Sequence, residues 1–276
     1  MVDVKAIRVE PIRSDVANPF VKRHHYSGKV TQNSQLHFGA FYDGILHGVM
    51  SFGPSLDKRK IVGLVRGTLW NEFLELNRMA FDDYLPKNSE SRCIAVAMHL
   101  IKKHYPQIKW IVSFADGAQC GDGAIYRASG FLLTGIKKNT TIWQAPDGTV
   151  ATDLSLRLGM RSAATRVSRE SMNMHKMEHF SGASSMKMFK DAGYKPLMGF
   201  QLRYLYFIDK AYRSRLTVQE LPYSKIDEMG AGMYKGVNVK IADRKPCAGS
   251  ETVTRSPIQG KEGGSIPTPA LIEATA

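Results

Sequence analysis

The chain has 276 residues, long enough to bury a full hydrophobic core as one extended domain or as one domain with an appendage. Its hydrophobic content of 43% is that of a globular protein, and no apolar run approaches the ~20 residues of a membrane-spanning helix, which argues against a membrane-embedded chain. A formal charge of +13 favours polyanionic partners, nucleic acid first, with an acidic protein, anionic lipid or an incidental basicity as the alternatives.

At the N-terminus, MVDVKAIRVEPIRSD interrupts every short apolar stretch with a charge, so it lacks the continuous segment of a secretory signal and a cytoplasmic location is expected. Residues 4–12 alternate as a strand. Residues 15–30 then read as a helix interrupted at Asn18-Pro19 and closed by Gly28. The runs QLHFGAFYDG and ILHGVMSFGP meet at Asp43-Gly44, a dipeptide suited to a tight primed turn, and predict a β-hairpin. After the basic loop DKRK, residues 68–81 end in the strand-like LELNRMAF, and DDYLPKNSES supplies turn and cap residues.

From Ser91 the period changes. Ile94, Ala97, Met98, Ile101 and Tyr105 recur at offsets of three and four, the apolar face of a helix that ends before Pro106. The strand IKWIVSFAD, the loop GAQCGDG, a short helix AIYRASG with Gly130 as its C-terminal stop, and the strand FLLTGI follow. Strands alternating with helices imply a partly parallel sheet with right-handed crossovers, with ligands at the carboxyl ends of strands. Cys93, Cys120 and Cys247 are odd in number and widely spaced, which suits neither a disulfide framework nor a CxxC metal motif.

Beyond residue 150 the chain turns polar, basic and methionine-rich before the strong strand FQLRYLYFID. Between 151 and 215, 12 Lys and Arg face five acids. Arg157, Arg161, Arg166 and Arg169 fall close to one helical face, where they would track a phosphate backbone or simply form a solvated surface. The last forty residues, rich in Gly, Pro, Ser and Thr, lack apolar periodicity and read as a disordered tail. The expected organisation is a core over 1–150, a basic helical insert and late strand completing it over 151–235, and a tail over 236–276.

The segment 74–135 resembles the central motif of the GNAT acyltransferases, which implies an α/β fold with a mixed central sheet flanked by helices. In that family a strand feeds a loop whose amides, at the N-terminus of the next helix, hold the pyrophosphate of coenzyme A. The resemblance places Arg78, Met79 and Ala80 on the strand and Lys87, Asn88, Ser89, Glu90, Ser91 and Arg92 in the phosphate-facing loop, where helix-terminal N–H groups favour an anion. Serines and a glutamate stand where the family commonly has glycines, and an ordinary polar helix cap is the alternative. AIYRASGF resembles the GNAT helix whose tyrosine is the general acid, which puts Tyr126 in that role against the alternative of a half-buried core tyrosine. Acetyl-coenzyme A or a related acyl donor is the implied cofactor.

A narrower resemblance lies in His25-Tyr26-Ser27, Asn77-Arg78, Lys87-Asn88, SFADGAQCGDGAIYRASGF and LRYLYFID followed by LPYSKI. These motifs are similar to those of the phage Mom proteins, which install a carbamoylmethyl group on the exocyclic amine of adenine in DNA and so shield it from restriction. The resemblance implies double-stranded DNA as partner and a site containing Asp116, His25, Tyr26, Ser27 and Tyr126. Asp116 would accept a proton, orient a base or cap the turn at Gly117. His25 titrates near neutrality and would act as base or ligand, while Ser27 would donate a hydrogen bond or end the first helix. Mom proteins are associated with iron, for which His25 and Asp116 are N/O donors of suitable type, although no HxxxH or HxD spacing accompanies them. Two rival functions stay open: an N-acetyltransferase acting on a small amine or a protein, and a non-catalytic DNA-binding module with a decayed donor site.

Overall fold

The structure, a computed structural model, describes residues 3–118, 120–139, 141–148, 150–152, 186–234 and 237–238. After a short 3-10 turn come β1 (Arg8–Ile12) and α1 (Ser14–His24). The helix runs through Asn18-Pro19 and stops at His24, so the expected interruption is absent. Pro19 and Asp15 are both exposed, and the one helical bond that proline removes leaves a carbonyl that water can satisfy. The hairpin pairs β2 (Leu36–Tyr42) with β3 (Ile45–Gly53) across Asp43 and Gly44, whose φ values of 50° and 75° are those of a primed turn.

The basic DKRK segment opens a short helix, α2 (Lys58–Val62). β4 (Phe73–Phe81), α3 (Ser89–His104), β5 (Trp110–Asp116), α4 (Ala124–Ala128) and β6 (Leu132–Asn139) follow. The small strands β7 (Ile142–Gln144), β8 (Val150–Thr152) and β9 (Lys195–Pro196) form a separate three-stranded sheet, with α5 (Met186–Asp191) between β8 and β9 in sequence. Next come β10 (Gly199–Phe207), α6 (Ser224–Glu228) and the pair β11 (Met233–Tyr234) and β12 (Val237–Asn238).

The main sheet is ordered β1-β2-β3-β4-β5-β10-β6, and only β4 and β5 run parallel. The late strand is thus an interior one, antiparallel to both β5 and β6. It is apolar on both sides: Leu202 and Tyr204 enter one core cluster, Leu205 and Phe207 another, a pattern that only an interior position satisfies. One face of the sheet is covered by α3, which buries Cys93, Ile94, Ala97, Met98 and Ile101 against Phe38, Met50 and Ile111. Tyr105 differs from its expected place, being the partly exposed residue just after the helix. On the other face α1 packs Ala17 and Val21 on Val49 and Ala80, and α2 packs Ile61 with Phe73, Trp110 and Val112. Among the described residues no helix is long and apolar enough to cross a membrane.

Candidate active site

β4 and β5 are joined over three residues only, Phe73–Glu75 opposite Trp110–Val112. Past that point β4 continues along β3 and β5 along β10, so the ladder between them stops and the two strands part toward their carboxyl ends. A bulge shapes the rim. Ser51 pairs with Arg78 and Phe52 with Leu76, leaving Asn77 as the extra residue. The bulge shifts the alternation of β4: Leu74 and Leu76 before it, and Met79 and Phe81 after it, all pack into the same cluster. Ser113 on β5 donates its hydroxyl hydrogen to the Leu76 carbonyl at 3.4 Å, a side-chain link just past the last backbone pair.

Two loops are tied to this bulge. Arg78 donates from Nε to the Lys29 carbonyl (3.0 Å) and from Nη1 to that of Asn77 (2.7 Å). Ser34 Oγ donates to Asn77 Oδ1 (3.1 Å), Asn33 Nδ2 to the Pro54 carbonyl (2.6 Å), and Ser55 Oγ to Glu75 Oε2 (2.5 Å). Burial pushes the Glu75 carboxyl up, and the hydrogen bonds from Ser55 and Asn77 and the charge of Arg78 partly oppose this.

His25, Tyr26 and Ser27 follow the end of α1. The Ser27 N–H donates to His25 Nδ1 (3.2 Å) and the Ser27 hydroxyl lies 2.8 Å from the same nitrogen. Burial, then the Arg78 charge, lowers the His25 pKa to about 4. A neutral ring whose Nδ1 accepts carries its proton on Nε2, so His25 presents a hydrogen-bond donor rather than a base. The Tyr26 ring lies 4.2 Å from that of His25 between centroids. Although Tyr26 is 53% exposed, desolvation of its phenol by the surrounding protein, with Cys120 and Asp116 close by, raises its pKa.

The opposite wall is the loop from β5 into α4. Asp116 Oδ1 accepts from the Ala118 N–H (3.0 Å) and Oδ2 from Asn139 Nδ2 (3.5 Å), so the turn-capping role is present. The Asp116 carbonyl accepts from the N–H and the thiol of Cys120. Burial raises the Cys120 pKa. Asp122, 1% exposed, accepts two hydrogen bonds from Arg127 on its carboxylate, and its carbonyl accepts from the Tyr204 hydroxyl. α4 closes with the Phe131 N–H on the Tyr126 carbonyl and the Gly130 N–H on that of Arg127, the paired bonds of a Schellman motif. These fixtures hold Tyr126 with its ring 5.4 Å from those of both Phe131 and Tyr204. Burial is the main cause that raises its pKa, opposed by the nearby Ser113 hydroxyl and reinforced by Cys120 and Glu75, and the phenol stays protonated at neutral pH.

The expected phosphate loop divides. α3 begins after Asn88, which has a left-handed backbone (φ 69°) and no side-chain cap. Lys87 and Asn88 are exposed and Glu90 and Ser91 partly so. Ser89 is buried with its hydroxyl on the Pro86 carbonyl, and the Ser91 hydroxyl donates to the Asn88 carbonyl. Arg92 reaches the carbonyls of Val4 and Lys5, away from the helix end. On β4, Met79 packs partly buried in the core and Ala80 is buried beneath α1.

The structure therefore brings Arg78, Asp116, Cys120 and Tyr126 within electrostatic reach of Tyr26, and Arg78 within reach of His25 as well. It adds Glu75, Ser113 and Cys120, which motif and spacing alone do not single out. A carboxylate inside the apolar strand LELNRMAF and a thiol in GAQCGDG are the signals the chain carries for them. Iron fits poorly: among the described residues no three His, Cys, Asp or Glu side chains converge, and His25 Nδ1 and Asp116 Oδ1 already hold hydrogen bonds. Arg157, Arg161, Arg166 and Arg169 lie outside the described residues.

Among solved structures, the chain is similar to a Bacillus subtilis acetyltransferase in complex with CoA, at 11% identity and a TM-score of 0.39, covering 73% of this chain and 98% of that one. It is also similar to a GNAT family acetyltransferase from Elizabethkingia anophelis with acetyl-CoA bound, at 11% identity and a TM-score of 0.35, covering 73% and 98%. In sequence it is 32% identical over 229 residues to the methylcarbamoylase Mom of Escherichia phage Mu, covering 80% of this chain and 85% of that protein. The model of the Mom protein family matches residues 6–225. On both the extent of that match and the identity to the phage Mu protein, the chain belongs to the Mom protein family.

Proposed function

We propose that this protein is a methylcarbamoylase that joins a carbamoylmethyl group to the exocyclic nitrogen of adenine in DNA, at the carboxyl ends of β4 and β5. The observation that carries this reading is the convergence of a protonated phenol, Tyr126, and a half-buried carboxylate, Glu75, beside the point where the two parallel strands part. The lone pair of the adenine amine is delocalised into the ring, so the attack needs a base for its proton and an acid for the leaving group. Glu75, with its pKa raised, takes the proton from nitrogen as the new N–C bond forms. Tyr126 donates to the departing group as its bond to carbon breaks. His25 Nε2–H and Tyr26 hold the base after it has been flipped from the duplex, a step that costs a few kcal/mol of unstacking.

An acyl-coenzyme A type donor is the reading for the other substrate, with its pyrophosphate against Lys87, Asn88 and the first-turn amides of α3. A carbamoylmethyl group is attached through its methylene, whereas simple acyl transfer joins the carbonyl carbon. The donor is therefore one activated at the methylene, whose bond to the leaving group breaks as the N–C bond forms. DNA would be engaged in the host cell, with Arg157, Arg161, Arg166 and Arg169 as phosphate contacts. The test is nucleoside mass spectrometry of DNA from cells expressing the protein. A carbamoylmethyl-adenine nucleoside that disappears in Glu75→Gln is expected, and unmodified adenine from well-expressed, folded protein would overturn the function.

A further inference from the structure

We propose that the lobe formed by α2 and its flanking loops is a DNA-docking surface, on which an unpaired base stacks against Trp70. The proposal rests on DNA being the substrate and names where the protein grips it.

Trp70 is the exception among the three tryptophans: it is 54% exposed, whereas Trp110 and Trp143 are 0% and 1% exposed. Leu69, beside it in sequence, and Leu56, which lines the same cavity as Trp70, are also exposed, an apolar outcrop that does not serve the core. The same stretch is cationic. Residues 54–70 hold Lys58, Arg59, Lys60 and Arg66 against a single acid, Asp57. The 210–218 segment is stitched to this lobe through the Arg66 N–H on the Arg215 carbonyl and the Thr217 N–H on that of Leu64, which brings in the exposed Arg215, its guanidinium 4.2 Å over the Tyr212 ring. Lys58 Nζ sits 4.6 Å from the centre of the Trp70 ring. A cation on an exposed indole is the pairing that single-stranded nucleic-acid grooves use, with charge for the phosphates and a π-face for bases of any sequence.

A cavity of about 430 Å3 between the 54–59 loop and Trp70 gives a base somewhere to go. Its wall is continuous with the active site: Ser55 lines it and donates to Glu75, the last β4 residue paired with β5. Tyr84 is comparably exposed, but Asp82 and Asp83 precede it and would repel a phosphate backbone. The charge around Trp70 favours DNA, and the charge around Tyr84 opposes it.

Because the other two tryptophans are buried, Trp70 reports on its own surface. Titration of the full-length protein with a duplex oligonucleotide carrying one mismatched adenine is expected to quench the exposed tryptophan emission and to shield it from acrylamide. Trp70→Ala should weaken binding about 5- to 100-fold, the worth of one stacked base, and Trp70→Phe should restore most of it. Replacing Arg59 and Lys60 with alanine should lower the slope of log affinity against log salt by roughly one per lost contact. Acetyl-coenzyme A binding should be unchanged in all three, which also reports that they fold. If duplex DNA binds with Trp70 emission and the Trp70→Ala affinity unaltered, the docking surface is overturned while the adenine reading stands. Shielding of Trp70 by polyglutamate but not by DNA would assign the lobe to an acidic protein instead. Folded wild type that neither binds nor modifies DNA would overturn both readings.

Discussion

The two parallel strands each lead through a loop into a helix, and both helices are entered through a left-handed residue without a side-chain cap: Asn88 (φ 69°) before α3 and Gly123 (φ 84°) before α4. The similarity ends there. Around Asn88 the chain is open, with Lys87 and Asn88 in solvent and Arg92 turned to the N-terminal segment. Around Gly123 it is locked by Asp122, Arg127 and Tyr204, and a Cβ on Gly123 would lie 2.5 Å from the Tyr204 ring. The buried ion pair serves to place a side chain, Tyr126, whereas the open loop offers mostly backbone. A loop that binds an anion with N–H groups needs access; a loop that positions a proton donor needs fixed geometry.

The contrast can be broken from either side. The largest expected effect is on chemistry: Tyr126→Phe should lower the yield of modified nucleoside by roughly 10²- to 10⁴-fold, as loss of a general acid does, with an unchanged unfolding midpoint. Unaltered modification would leave Tyr126 a core residue and return the acid role to another group. Next, Asp122→Ala leaves the Arg127 charge without its buried partner and should cost about 3–5 kcal/mol in a denaturant titration. A loss below ~1 kcal/mol would show that the loop is not locked by this pair.

The paired substitutions Gly123→Ala and Asn88→Ala sharpen the comparison directly. Left-handed backbone costs an alanine about 1–2 kcal/mol at either position. Only Gly123→Ala adds overpacking against Tyr204, another ~1–3 kcal/mol, so equal losses would contradict the difference between the loops. The smallest effect concerns His25, whose folded pKa of about 4 lies below the 6.5 of an unperturbed imidazole. As pH falls from 6.5 towards 4 the unfolded chain takes up a proton that the folded chain refuses, so stability declines over that window. His25→Gln should flatten that decline in urea titrations, and an unchanged profile would mean that the ring is not desolvated.

Much of the frame is legible in the chain itself. The Asp43-Gly44 hairpin, the apolar face of α3 and the stop at Gly130 are where the residues imply, because turn chemistry and helical period act over a few positions. Pro19 misleads as a helix break for a related reason: in the middle of α1 it lies on the exposed face, and the one bond it removes is replaced by solvent. The site is legible in part. Tyr26, Arg78 and Tyr126 stand out as motif residues, while Glu75 looks like any strand residue until Ser55, twenty positions earlier, is brought to its carboxylate.

The sequence by itself determined the strands of the main sheet in chain order with α1, α3 and α4 between them, the basic character and the family, since composition, local periodicity and motif content are properties of the chain. Only the tertiary structure decided that β10 enters the sheet between β5 and β6, that the β4–β5 ladder ends after three pairs, and that the bulge at Asn77 gathers two distant loops around Glu75. Those outcomes depend on pairings between segments far apart in the chain, where the gain comes from burying both faces of a strand and satisfying polar groups that no local pattern identifies.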